Sequence, residues 1–358
     1  MLVTASTIKD SAANVRFFVE ANLASGVGHL VVFLDAPAED GQAEVERYLT
    51  AHPQVTCIRA GGAGWWHGER PANLNHRQRI NANWAHDLLA PLGWATWLAH
   101  VDGDEVARLD PAALATVPPE VSAVRMRPLE AVARIGVEER STLFKELLDD
   151  ADLTLLQVLG LLDEPSNQTY FHGHVMGKSA IRVGAEAGLT LHDAVAPDAS
   201  RLPAAEDPGF AVLHYDAPTE QEFIRKWTAL AAAGPARYRA SRQPVAKALK
   251  TLIGRDLPPD VRERYLRQIY ERTVADDVTT LDELGLLVHC DPLADVSDTP
   301  PLTERQVADL EQRAGELREV PKATYLLRDS VKDGAKDGAR SGDDQPDEGE
   351  RRRSRWRR

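Results

Sequence analysis

Apolar runs of strand length alternate with amphipathic stretches of helix length through the first 130 residues, and few folds are open to a chain with that rhythm. Leu2-Val3-Thr4-Ala5 predicts a short strand. Ser11 is placed to cap a helix over Ala12 to Ala24, which puts Val15, Phe18, Val19 and Leu23 on one face. Gly26 and Gly28 stop that helix. Leu30 to Leu34 predicts a buried strand ending at Asp35. Glu44 to Ala51 and Leu74 to Leu89 predict helices, and Val55 to Ile58, Ala95 to Val101 and Val121 to Met126 predict strands. The expectation is a mostly parallel sheet with helices on both faces. Ligands of such sheets collect at the carboxyl ends of the strands. Asp35, Asp102 and Asp104 all sit at predicted strand ends.

Beyond residue 130 the pattern loosens. Two glycine-punctuated segments, Phe171 to Gly184 and Gly188 to Asp193, precede a short predicted strand, Ala211 to Tyr215. Glu220 to Leu287 reads as mostly helical. Thr303 with Gln306 forms a capping-box signature for a last helix to about Leu317. From about Asp329 almost no apolar residue remains, so disorder is expected. The chain ends RRRSRWRR, which reads either as a solvated tail or as a weak electrostatic contact with an anionic membrane.

Charge and cysteine use narrow the class. The formal net charge is −13, so bulk electrostatics work against nucleic acid as a partner. Any phosphate site has to be built locally, from a metal or a few basic side chains. Two distant cysteines, Cys57 and Cys290, cannot form a disulfide framework or a thiolate metal site by spacing, and Cys57 reads as a small core residue. The chain opens MLVTAS, without a basic then apolar leader, and no run approaches the ~20 apolar residues that span a bilayer. A cytoplasmic protein is the expectation.

The segment Trp97-Leu98-Ala99-His100-Val101-Asp102-Gly103-Asp104-Glu105 carries the chemistry. An apolar strand delivers three carboxylates where it ends, and Gly103 is expected to make the turn sharp enough for Asp102 and Asp104 to converge. Hard divalent cations take oxygen ligands, so Mg2+ or Mn2+ bridging a diphosphate is the chemistry implied. Trp65-Trp66, after Gly61-Gly62-Ala63-Gly64, is either an aromatic platform for a sugar ring or a loop packed on the domain; no Gly-Lys-Ser/Thr follows, so the glycines are not a phosphate loop. His172-Gly173-His174 is read as structural or substrate-lining.

With these residues in order, the chain resembles glycosyltransferase family 2-like enzymes of the GT-A fold that carry a D-x-D-E metal motif. Val3 to Ser6 followed by Lys9-Asp10, Asn22 to Val27 with the strand to Asp35, Gln78-Arg79-Ile80-Asn81-Ala82, and Leu213-His214-Tyr215 with Phe223, Lys226 and Trp227 carry the resemblance over about residues 1 to 230. The acidic third residue that the family has after Lys9-Asp10 is missing. The resemblance implies a GT-A-like, Rossmann-like mixed sheet over residues 1–230, a helical extension over 231–328 and a disordered charged tail over 329–358. It implies that Asp102, Asp104 and His214 hold Mn2+ or Mg2+, His214 otherwise being a core residue. Lys9, Asp35, Arg79, Asp102, Lys178 and Lys226 would face the nucleotide sugar. Asp193 or Asp207 would take the proton from an acceptor hydroxyl, with inversion at the anomeric carbon. Another metal-dependent nucleotide-processing enzyme, a nucleotidyltransferase or hydrolase, and a non-catalytic binding module of the same fold are the rival readings.

Overall fold

The computed structural model describes residues 1–232, 243–294 and 299–327, with the side chains of 229–232 left aside. The tail over 329–358, with its Arg-rich end, lies outside the described residues. Twelve strands occur among those described: β1 (Leu2–Ile8), β2 (His29–Leu34), β3 (Val55–Arg59), β4 (Trp97–His100), β5 (Glu105–Leu109), β6 (Ala123–Ala131), β7 (Leu143–Lys145), β8 (Lys178–Arg182), β9 (Gly188–Leu189), β10 (Ala194–Val195), β11 (Ala205–His214) and β12 (Leu287–His289). Ten of them form one mixed sheet in the order β12-β7-β6-β8-β4-β1-β2-β3, with β11 paired to β6 and β5. The block β4-β1-β2-β3 is parallel, as the alternation required, and β8 joins it antiparallel.

Strand β2 shows why the parallel block needs continuous apolar runs. Leu30, Val32 and Leu34 face one core with Val15, Phe18 and Val19 of the helix Ala12–Ala24. Val31 and Phe33 face the other core with Ile80, Trp84 and Leu88 of the helix Leu74–Leu89. Alternate residues of a strand point to opposite faces, so a strand covered by helices on both sides must be apolar at every position. Ser11 caps the first helix by accepting from the Asn14 N–H, as read from sequence.

Two segments after residue 230 return to this body. β12 pairs antiparallel with β7 at the sheet edge. The helix Glu304–Arg318, capped by the Thr303–Gln306 box, lays Leu310 and Leu317 into the same core as Trp84, and the Trp84 indole N–H donates to Leu317 O at 3.3 Å. The adjacent tryptophans belong to that core as well. Trp65 and Trp66 sit on one helical turn, Ala63–Trp66, and are 6% and 3% exposed. Trp65 packs edge-on to Trp84 at 4.9 Å and donates to Asn81 Oδ1, while Trp66 donates to Ala60 O at 2.7 Å. Each buried indole has its N–H partner, so the packed-loop alternative describes them and the sugar-platform one does not. Among the described residues no helix is long and apolar enough to cross a membrane.

Candidate metal and phosphate site

The site begins where β4 runs out. Asp102 to Glu105 form a turn in which the Glu105 N–H donates to Asp102 O at 3.0 Å, and β5 starts at Glu105. Gly103 is not at a positive φ, and a Cβ built on it would meet Ile8 only at ordinary contact distance. The turn therefore does not depend on glycine. Nor do the two aspartates share partners. Asp102 accepts from Gln78 Nε2 at 2.5 Å on one oxygen and from Lys178 Nζ at 2.8 Å on the other. Asp104 faces Lys226 Nζ at 3.1 Å and His214 Nε2 at 3.8 Å.

Glu105 lies at the centre. It is 1% exposed, accepts from His174 Nε2 at 2.6 Å and Lys178 at 3.2 Å, and also accepts the Asp102 N–H. Its place comes from the sheet: Glu105 and His214 are direct cross-strand partners of β5 and β11. Asn22 fixes the outer edge of β5 by donating to Glu105 O and accepting from Ala107 N, so one carboxamide stands in for a missing strand. Burial works to raise the Glu105 carboxyl, but Lys178 and the His174 hydrogen bond outweigh it and hold the group well below its ordinary value. The same contest leaves Asp102 lowered through Lys178. Burial works against the Lys178 ammonium, and Asp102 and Glu105 carry it up to about 12.

His174 arrives on the loop between Phe171 and β8. Glu130 holds that loop, its two oxygens accepting the N–H groups of His172 and Gly173. Glu130 is in turn paired with Lys145 at 3.2 Å, and Lys145 with Asp276 at 2.9 Å. A Cβ on Gly173 would stand 2.2 Å from two atoms of the His214 ring, so only glycine lets the loop pass. The His174 and His214 rings stack at 4.8 Å, and His192 meets His174 edge-on at 4.6 Å. His100 and His192 are each held down to about 4, first by burial and then by the Lys178 charge. Two trios bring ligand atoms within 4.8 Å of one another: Glu105, His174 and His214, and Asp104, His214 and Asp216. Asp102 belongs to neither. Acidic and histidine clusters that could hold a divalent metal are thus present.

The other residues read from sequence are placed as follows. Lys178 and Lys226 reach the cluster. Lys226 does so because its helix, Glu220–Ala232, buries Phe223 and Trp227 one turn apart against Tyr270. Lys226 also binds Asp216 at 2.6 Å. Asp35 follows β2, separated from β4 by β1, with its N–H donating to Ile8 O, and is clamped by Arg77 at 2.7 and 2.8 Å and by Arg70 at 2.9 Å. It lines a cavity of ≈ 1340 Å³ that runs past Arg70 and edge strand β3 to the helix Glu304–Arg318. Lys9 is half exposed and paired with Glu39 at 2.5 Å. Arg79 donates to Leu327 O at 2.5 Å, at the end of the described chain. Asp193 is held by Arg125 at 2.7 Å and Arg201 at 2.9 Å. Asp207 is exposed and lies seven residues from His214 along β11, towards its other end.

The His172-x-His174 spacing invites a metal pair, which the structural or substrate-lining reading sets aside; the structure brings His174, and not His172, to Glu105. Glu130, Asp216 and Asp276 gave no signal, since each reaches the site through a strand pairing or a loop.

No protein-family model matches this chain, and no curated protein matches it. Among solved structures, the chain is similar to HddC from Yersinia pseudotuberculosis at 11% identity and a TM-score of 0.22. The match covers 37% of this chain and 57% of that one, so this chain spans a little over half the length of the structure it matches.

Proposed function

We propose that the protein is a metal-dependent glycosyltransferase that uses a nucleoside-diphosphate sugar. The observation that carries this reading is the meeting of the Asp102–Glu105 turn with His214 at the carboxyl end of the parallel block, one strand from Asp35 and its cavity. The nucleoside would lie in the cavity against Asp35, and the diphosphate would extend over Ile8 to the carboxylate–histidine cluster. A divalent cation bound there would draw charge from the departing diphosphate. Lys226, on the partly exposed side of the cluster, is placed to pair with a phosphate oxygen in exchange for Asp104. The acceptor oxygen bonds to the anomeric carbon, the bond from that carbon to the diphosphate breaks, and the acceptor proton passes to a carboxylate, Asp193 or Asp207. The acceptor would be a carbohydrate or another hydroxyl compound.

A second reading has an observation of its own. Nucleotidyl transfer needs basic groups at the phosphates, and Lys178 and Lys226 both enter the cluster. One experiment separates the two. The full chain is incubated with nucleoside-diphosphate sugars, Mn2+ and a panel of hydroxyl acceptors, with and without chelator. Release of nucleoside diphosphate in step with glycoside, abolished by chelator, is expected. Release of nucleoside monophosphate or pyrophosphate would assign the second reading. Turnover unchanged in chelator would overturn the metal requirement.

A further inference from the structure

We infer that the metal ligands are Glu105, His174 and His214, not the aspartates of the D-x-D motif, and that the site selects a first-row transition-metal dication over Mg2+. This deepens the proposed function by naming its metal, but the site stands on residues that can be tested without any donor.

The three ligand atoms lie within 4.8 Å of one another, the span of atoms that share one cation. They come from three parts of the chain with independent supports. Glu105 and His214 are paired across β5 and β11. His174 is set by a loop whose N–H groups at 172 and 173 are gripped by the buried Glu130 carboxylate. Each ligand is fixed through its own backbone as well as by the His174–Glu105 hydrogen bond, and that describes a preorganised site.

The aspartates already have cations. Both Asp102 oxygens are taken, by Lys178 and Gln78, and Asp104 shares Lys226 with Asp216. A metal at Asp102 or Asp104 would have to displace an ammonium. The histidines differ. Nδ1 of His214, whose side chain is 7% exposed, and Nδ1 of His174 are buried and accept or donate no hydrogen bond. Buried polar atoms nearly always have partners, so one unpartnered nitrogen on each ring leaves both imidazoles with a ligand atom to give. The same trio is open in charge as well: among the described residues Lys178 is the one ammonium on Glu105, and it is shared with Asp102.

The donor set then chooses the ion. Two imidazoles and one carboxylate make the set of catalytic zinc sites and of facial non-haem iron sites. Mg2+ asks for oxygen ligands in near-octahedral array, which two nitrogens cannot supply.

The test uses the full chain, stripped with chelator and titrated with Co2+ and with Mg2+ in the absence of nucleotide. One Co2+ per chain is expected, with the visible absorption of nitrogen-ligated cobalt, displaced by Zn2+ and not by Mg2+. His174→Ala and His214→Ala should each weaken Co2+ binding by roughly 100-fold, and Asp102→Asn by less than about 3-fold. His174→Gln, which keeps the size of the side chain, serves where the alanine variant fails to fold, as judged by metal-free melting. Mg2+ binding as tightly as Co2+, loss of Co2+ through Asp102→Asn alone, or Co2+ binding that survives His174→Gln would each overturn the site. Co2+ bound as expected with no sugar transfer upholds this site and overturns the proposed function. Sugar transfer that needs Mg2+, with no Co2+ bound at the trio, does the reverse.

Discussion

Lys178 donates its ammonium to Asp102 at 2.8 Å from a position that is 1% exposed, between two carboxylates that would otherwise repel each other. Removing one partner of a buried ion pair leaves an uncompensated charge, at a cost of about 3–5 kcal/mol. Lys178→Met should therefore lower the urea midpoint steeply. Asp102→Asn added to it should recover part of the loss, because one of the stranded charges is then gone. A double-mutant cycle in urea gives the coupling, and strictly additive losses would show that the pair does not act as one unit.

The loop carrying His174 is set by a glycine. Gly173→Ala would place a methyl 2.2 Å from His214 and 2.5 Å from Glu130 Oε2, and neither can retreat from its buried position. Overpacking of this kind costs about 1–3 kcal/mol. The expected outcome is a melting temperature lower by a few degrees and a loss of metal binding of at least ~10-fold, larger than the stability change alone would produce. Gly64→Ala, where a Cβ meets nothing within 4 Å, is the control and should leave both unchanged.

Acid should destabilise the fold through buried histidines. His29 and His100 are each held down to about 4, mainly by burial, with His52 adding to the first and Lys178 to the second. Between pH 6.5 and 4 the unfolded chain binds protons that the folded chain refuses, so stability falls as pH drops through that window and is unaffected above it. Each histidine contributes on the order of 3 kcal/mol at the lower end. Urea midpoints should decline from pH 6.5 to 4, and ring proton signals of His29 and His100 should not titrate above pH 5. A signal moving with a midpoint near 6.5 would contradict the burial argument.

The sequence carried the parallel block well, because strands covered on both faces must be apolar throughout and helices must show one apolar stripe. Leu30 and Val32 face one core and Val31 and Phe33 the other, as that reading requires. Asp102, Asp104, Lys178, Lys226 and His214, all named from the sequence, fall into two groups: Lys178 on Asp102, and Lys226 and His214 beside Asp104. The sequence failed where position depends on pairing register. Glu105 is central because it lies opposite His214 across β5 and β11, and that register has no local signature. Trp65 and Trp66 left two readings open in the sequence for a related reason. Adjacent residues diverge on a strand but lie about 100° apart on a helical turn, and one core receives both.

The two arginines on Asp35 should respond differently to removal, and that difference tests whether a nucleotide lies there. Arg77 is buried and holds both Asp35 oxygens, at 2.8 and 2.7 Å. Arg70 is about one-third exposed at the mouth of the cavity and holds one oxygen at 2.9 Å. Loss of the buried partner strands a buried carboxylate, so Arg77→Met should cost about 3–5 kcal/mol. Loss of the exposed partner should cost no more than about 1 kcal/mol, since solvent screens that pair. Binding should show the opposite order. Arg70 lies where the cavity opens onto Asp35, so Arg70→Ala removes one of the two donors on Asp35 Oδ1 and opens a lone pair at that point. A ribose hydroxyl could then donate to it, or a phosphate could lose a cation it had used. Either way, nucleoside diphosphate affinity should shift by roughly 10-fold at unchanged melting temperature. A tighter complex would place the ribose at Asp35, and a weaker one would place the phosphates at Arg70. Affinity identical to that of the unaltered chain would remove the nucleotide from this cavity.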